Sequence, residues 1–281
     1  MKKRLITAFF GFAVLIPVWI FSDTFVLPFA VGLFTAVGVY EMLGCIGVRN
    51  KLEVSIPTVI IATAIPVSAR YVVAYTGEIS YFLAMASALM FLYMLYLMSL
   101  AVLSKGTKTV NDMALVFLTT FYISVGFMAV LMVRDLEHGV YLWPLVFIGA
   151  WIPDGAAYFV GRALGRHKLI PDVSPNKTVE GAIGGIVFGA IFFALYGLGV
   201  GVLTSTSSNI GSLLIAGVVV SVISIFGDLI ASLIKRQYGV KDYGTIFPGH
   251  GGVLDRFDSI IATAPILLML CAFPNVFSLF C

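Results

Sequence analysis

Charged residues make up only 11% of this 281-residue chain, against about 25% in soluble domains. Too few charges are present to coat a water-soluble globule, and 60% hydrophobic residues with a mean hydropathy of +1.05 make the bilayer the expected solvent. Cysteine is scarce as well. Cys45, Cys271 and Cys281 are widely separated and odd in number, which excludes a disulfide framework or a thiolate zinc site and leaves them as small apolar residues of helices. No GxxxxGK[ST] run occurs, so a Walker-type phosphate loop is excluded. No polar segment has a second copy, which argues against a transporter built from two related halves. Nor does any polar loop exceed about twenty residues, far below the size of a separate soluble domain.

Long apolar runs are abundant. A helix needs roughly 20 mostly apolar residues to cross the hydrocarbon core, and the sequence predicts an all-α, polytopic membrane protein with spans at 5–22, 24–47, 54–75, 79–103, 113–133, 140–164, 181–204, 210–234 and 256–276. Barrel strands are not indicated, because the apolar runs are continuous and do not alternate. The basic residues orient the spans. With the N-terminus inside and the C-terminus outside, only Arg70 and Arg134 of the 17 Lys and Arg residues fall outside, as positive-inside topology requires. The MKKR start and the apolar run after it read as an uncleaved first helix, since VWIFSD offers no small-x-small cleavage pattern. Gly181, Gly185 and Gly189 form a small-residue stripe that reads as helix packing and carries no chemistry.

Chemistry is expected from ionisable residues in or beside the spans, since a carboxylate in a membrane helix is costly unless it faces protein, water or metal. These are Glu41, Asp154, Asp228, Asp255 and Asp258, all toward the ends of spans expected to be cytoplasmic, where they can share one depth. The role of Glu41 is not legible. Asp228, Ser232 and Lys235 fall at i, i+4 and i+7 on one helical face, and Asp255 and Asp258 at i and i+3 on another. A helix N-terminus favours acidic residues, which accounts for part of the Asp255/Asp258 pattern. Converging carboxylates without histidine or thiolate ligands suit a hard cation such as Mg²⁺, completed by water and substrate phosphates. The cations Lys235, Arg236, Lys241 and Arg256 would meet those phosphates. Between them, FPGHGG offers Gly251 and Gly252, whose backbone N–H groups can approach an anion. His250 in that loop reads either as a hydrogen-bonding residue or as a general base.

The run SLIKRQYGVKDYGTIFPGHGGVLDRFDS, Ser232 to Ser259, closely resembles the signature of the phosphatidate cytidylyltransferases in its serine, KR pair, Lys241–Asp242 pair, HGG and DRxD. SPNKTVEG, from Ser174, is similar to that family's other polar loop, with Asn176 where a lysine is expected and Lys177 beside it. DGAAYFVGRALGR, from Asp154, resembles the helix before that loop. The resemblance implies an enzyme that joins CTP to phosphatidate, giving CDP-diacylglycerol and pyrophosphate. It further implies a homodimer among membrane lipids, no nucleic-acid partner, Mg²⁺ with a second ion such as K⁺, and a site open to the cytoplasm of a bacterial inner membrane. Asp228, Asp255 and Asp258 are then the expected metal ligands, and Lys235 the principal catalytic cation. Ser232, Arg236, Lys241, Asp242, His250, Gly251, Gly252, Arg256, Asn176, Lys177 and Asp154 are expected to hold substrate. Residues 1–135 would supply membrane helices and 136–281 the catalytic region. Two other readings stay open: a CTP-dependent kinase of polyprenol or phytol type, and an ion-coupled transporter using Asp154 and Asp228.

Overall fold

The computed structural model describes residues 16–204, 206–247, 249, 251–273 and 277–280. Most of the first expected span, and His250, lie outside the described residues; 16–20 are helical. The chain then runs α1 (Val26–Ile46), α2 (Leu52–Thr76), α3 (Ile79–Leu103), α4 (Val110–Asp135), α5 (Gly139–Leu164), β1 (Lys168–Ile170), β2 (Ser174–Thr178), α6 (Val179–Thr204), α7 (Ile210–Gln237) and α8 (Leu254–Cys271). Among the described residues seven helices, α1 to α7, are long and apolar enough to cross a membrane. The last expected span overlaps α8, which has 18 residues and carries Asp255, Arg256 and Asp258 in its first turns. Those three charges set it apart from the seven. The polar loop before α6 contains a feature that the apolar pattern does not signal, an antiparallel hairpin pairing Lys168 with Thr178 and Ile170 with Ser174.

The chain forms two compact units, one of residues up to Leu131 with Tyr238–Arg256, the other of Met132–Gln237 with Phe257 onward. In the first, α1 packs on α2 and α2 on α3, around buried Leu27, Leu43, Val54, Ala62 and Phe82. Several polar groups inside it are paired, as a medium without water favours. The Thr58 hydroxyl bonds the Val54 carbonyl at 2.5 Å and the Tyr93 hydroxyl at 2.7 Å. Arg70, one of the two basic residues expected outside, donates to the carbonyls of Ser22 and Thr24 at 3.0 and 3.1 Å.

In the second unit α6 packs closely on α5 and α7, and its glycine stripe explains how. A Cβ on Gly181 would stand 2.6 Å from the Ala157 carbonyl oxygen, and one on Gly185 2.8 Å from that of Pro153. Such contacts are closer than real side chains make, so the glycines set the helix separation, as their spacing suggested. Val202 and Leu203 of this unit, like Val102 of the first unit, are more than four-fifths exposed. Lipid tails are as apolar as these side chains, so facing them costs nothing.

Candidate active site

Within the second unit, the helix crossing beside Asp228 decides which carboxylates meet. A Cβ at Gly227 would lie 2.6 Å from the Ala262 Cβ and 3.2 Å from the Asp258 carbonyl oxygen. Glycine there lets α7 and α8 nearly touch, and Asp228 and Asp258 come within range of each other's charge. Asp154 of α5 joins them, repelled by Asp228 and accepting a 3.2 Å hydrogen bond from the Ser259 hydroxyl. Ser259 itself is buried and its N–H donates to Asp258 Oδ1 at 2.8 Å. Three carboxylates thus lie within range of one another's charge in a setting where isolated charge is costly, and cations answer them. Lys177 makes an ion pair with Asp228. Lys235, buried in the last turn of α7, faces the charge of Asp258.

Lys177 arrives there by strand alternation. In β2, Asn176 is exposed while Lys177 is half-buried, as side chains on successive strand residues point to opposite faces. Thr178 then starts α6, its hydroxyl accepting the Gly181 N–H at 3.1 Å in the manner of an N-cap. Glu180 in the first turn of α6 accepts the N–H groups of Arg166 and His167 at 3.1 and 3.2 Å and pairs with His167 Nδ1 at 2.6 Å, tying the start of the hairpin to the helix.

Within the first unit, the glycine-rich segment forms a closed loop. Asp255 Oδ2 accepts the N–H of Tyr243 at 2.8 Å and of Gly252 at 2.9 Å, and Phe247 N–H reaches the Gly251 carbonyl at 2.9 Å. Lys241 and Asp242 stand exposed on this loop, Arg256 is exposed in the first turn of α8, and Gly251 and Gly252 lie in the loop's returning arm. Gly251 has φ +82°, which favours glycine. Glu41 of α1 reaches the same loop, accepting the N–H of Val253 at 3.0 Å and of Leu254 at 2.9 Å.

Of the expected metal ligands, Asp228 and Asp258 lie in the second unit beside Asp154, and the Asp255 carboxylate is engaged by its own loop. Among the described residues no three His, Cys, Asp or Glu side chains are drawn together as a formed metal centre. The donor set of Asp154, Asp228, Asp258 and the Ser259 hydroxyl is all oxygen, and the Lys177 ammonium already sits on one carboxylate. That composition fits a hard cation. Ser232 is half-buried and Arg236 exposed on the last turns of α7. Two participants carry no sign of their role in the helical spacing: Ser259, although it directly follows Asp258, and Glu41, which fastens the glycine-rich loop.

A profile of the cytidylyltransferase family matches residues 2–273 of the chain. Proteins named phosphatidate cytidylyltransferase are similar along nearly its whole length. That of Staphylococcus haemolyticus is 33% identical over 277 residues, covering 96% of this chain and 98% of its own. That of Staphylococcus saprophyticus is 34% identical over 271 residues, with the same coverage of 96% and 98%. The Bacillus subtilis protein is 39% identical over 179 residues, 63% of this chain and 65% of its own.

Proposed function

The chain belongs to the cytidylyltransferase family, and on that premise we propose that it transfers the cytidylyl group of CTP to phosphatidate, forming CDP-diacylglycerol and releasing pyrophosphate. The observation that carries this reading is similarity at 33% and 34% identity, over 96% of the chain, to proteins named for that reaction. A phosphate-oxygen bond forms between the phosphatidate phosphate and the α-phosphorus of CTP as the α–β anhydride bond breaks. Phosphatidate carries its second negative charge above a pKa of about 6, so the nucleophile needs no base. The obstacle is repulsion between anions, and the groups described above answer it. Lys235, Arg236, Lys241 and Arg256 bind and orient phosphates, with Asn176, Lys177, Ser232, Asp242, Gly251, Gly252 and His250 completing the contacts.

Asp228, Asp255 and Asp258 are proposed to hold Mg²⁺, with a second ion such as K⁺, and Asp154 stands beside two of them. A magnesium ion there would neutralise triphosphate charge and help hold the in-line geometry. The chemistry is assigned to residues 136–281, with 1–135 supplying membrane helices. Nine spans, a homodimer, and a site facing the cytoplasm of a bacterial inner membrane complete the proposal, the sidedness supported by the basic-residue distribution.

The fate of labelled CTP tests the reaction. Label on the α-phosphorus should enter the lipid and γ-label should leave as pyrophosphate. Transfer of γ-label to lipid would mean a CTP-dependent kinase instead. Sidedness is tested with single cysteines in a background free of Cys45, Cys271 and Cys281. A thiol replacing Lys241 should react with an impermeant reagent only from the cytoplasmic side, and one replacing Glu137 only from the opposite side. The reverse labelling would overturn the topology.

A further inference from the structure

The chemistry proposed above makes no use of Glu41, yet the residue is only 4% exposed, more enclosed than Asp255 at 8% or Asp258 at 9%. It lies toward the C-terminal end of α1, the end whose dipole disfavours negative charge. Its placement makes sense only through its partners. Oε1 accepts the Val253 N–H and Oε2 the Leu254 N–H, two of the donors that the start of α8 leaves without partners inside the helix. There the dipole favours a carboxylate. Backbone closes around it from two more points, because a Cβ on either Gly244 or Gly252 would run into Glu41 Oε1. Asp255 closes the loop on itself from within. Glu41, 212 residues upstream of Val253, fastens that closed loop to α1.

We infer that Glu41 is a positioning residue for the nucleotide-binding loop from Lys241 to Arg256, an inference that rests on reading the loop as the site of CTP phosphate contact. Glu41 touches no substrate. It holds the backbone N–H groups of Val253 and Leu254, and through them the register in which Gly251, Gly252 and Arg256 are presented. Glutamine is nearly isosteric, but its NH₂ cannot accept from the N–H it would face, so Glu41→Gln sets two donors against each other at one of the two bonds. Gly244→Ala attacks the same contact from the opposite side without altering the acid, and Gly244 has no assigned part in the chemistry.

The test uses the full-length protein in lipid nanodiscs, with CTP and phosphatidate varied separately and hydrogen-deuterium exchange followed over residues 243–256. In Glu41→Gln the KM for CTP should rise about tenfold and loop amides exchange faster by a similar factor, as loss of a buried charge-assisted hydrogen bond implies. The KM for phosphatidate should stay within about twofold, because the disturbed contact belongs to the nucleotide loop. Gly244→Ala should move the same two quantities in the same direction, and it carries the test if Glu41→Gln fails to fold. Unchanged exchange would overturn the inference. So would parallel rises in both KM values, or a fall in kcat with both KM values intact. Failure of the wild-type protein to use CTP would overturn the proposed reaction instead, and is told apart because the exchange measurement needs no turnover.

Discussion

Asp228→Asn and Asp258→Asn proteins should insert and fold, yet turn over CTP at least about a hundredfold more slowly than wild type. Asparagine keeps the size and one carbonyl oxygen of each side chain but removes the charge that answers Lys177 and Lys235 and that a divalent cation would require. Asp228→Asn also takes from the Lys177 ammonium the carboxylate with which it forms an ion pair. Asp255→Asn is the sharper variant. Its Oδ2 accepts both the Tyr243 and Gly252 N–H groups, and the amide oxygen of asparagine can accept the same two. The loop should therefore keep its shape while the charge disappears, so a comparable fall in kcat would report electrostatics and not scaffolding. The measurement is kcat across a Mg²⁺ titration. Near-normal turnover of any of the three variants at saturating Mg²⁺ would remove that residue from the proposed ligand set.

Lys235→Met is expected to lower kcat by about two orders of magnitude, since loss of a charged contact in a site shielded from water costs up to about 3 kcal/mol. Lys235 is 8% exposed and faces Asp258, so the change removes a cation where water cannot readily replace it. Methionine preserves much of the apolar stem. His250→Gln should be far milder, because an amide can replace an imidazole as a hydrogen-bonding group and the proposed nucleophile is already ionised. The pH profiles separate the two mechanisms. Phosphatidate takes up a proton below about pH 6, so an acidic limb should persist in His250→Gln if the phosphate dianion attacks unaided. Loss of that limb, with His250→Gln falling below Lys235→Met, would make His250 a general base and overturn direct attack.

Local features of the chain are the most legible in its sequence. A stretch of apolar residues long enough to cross a bilayer must be helical there, because nothing in the hydrocarbon can satisfy an open backbone. The expected spans from 24–47 to 210–234 accordingly correspond to α1 through α7. The last expected span, 256–276, runs past the end of α8 at Cys271, and the polar opening of that helix shortens its apolar part further. The hairpin at 168–178 leaves no mark in the hydropathy pattern, because its strands are short and partly exposed and carry no apolar alternation.

Helical spacing likewise places Asp228 and Lys235 on one face of α7. The same rule groups Asp255 with Asp258, three residues apart, and here local geometry says too little. A side chain's face follows from its own helix, but its partner depends on what packs against that face. The Asp255 carboxylate engages Tyr243 and Gly252, and Asp258 keeps company with Asp228 and Asp154.

Composition, and periodicity within single elements, therefore suffice for the solvent, the helical class, the positions of most helices and the stretch of chain where cations, carboxylates and glycines concentrate. Tertiary packing decides the rest: that Gly227 brings α7 against α8, that Asp154 and Ser259 join the carboxylate cluster, that Lys177 pairs with Asp228, and that Glu41 fastens a loop more than two hundred residues away. These contacts join distant parts of the chain. Their physical cause is the close fit of backbones at glycine and the cost of leaving a carboxylate or an ammonium group without a partner where water is absent.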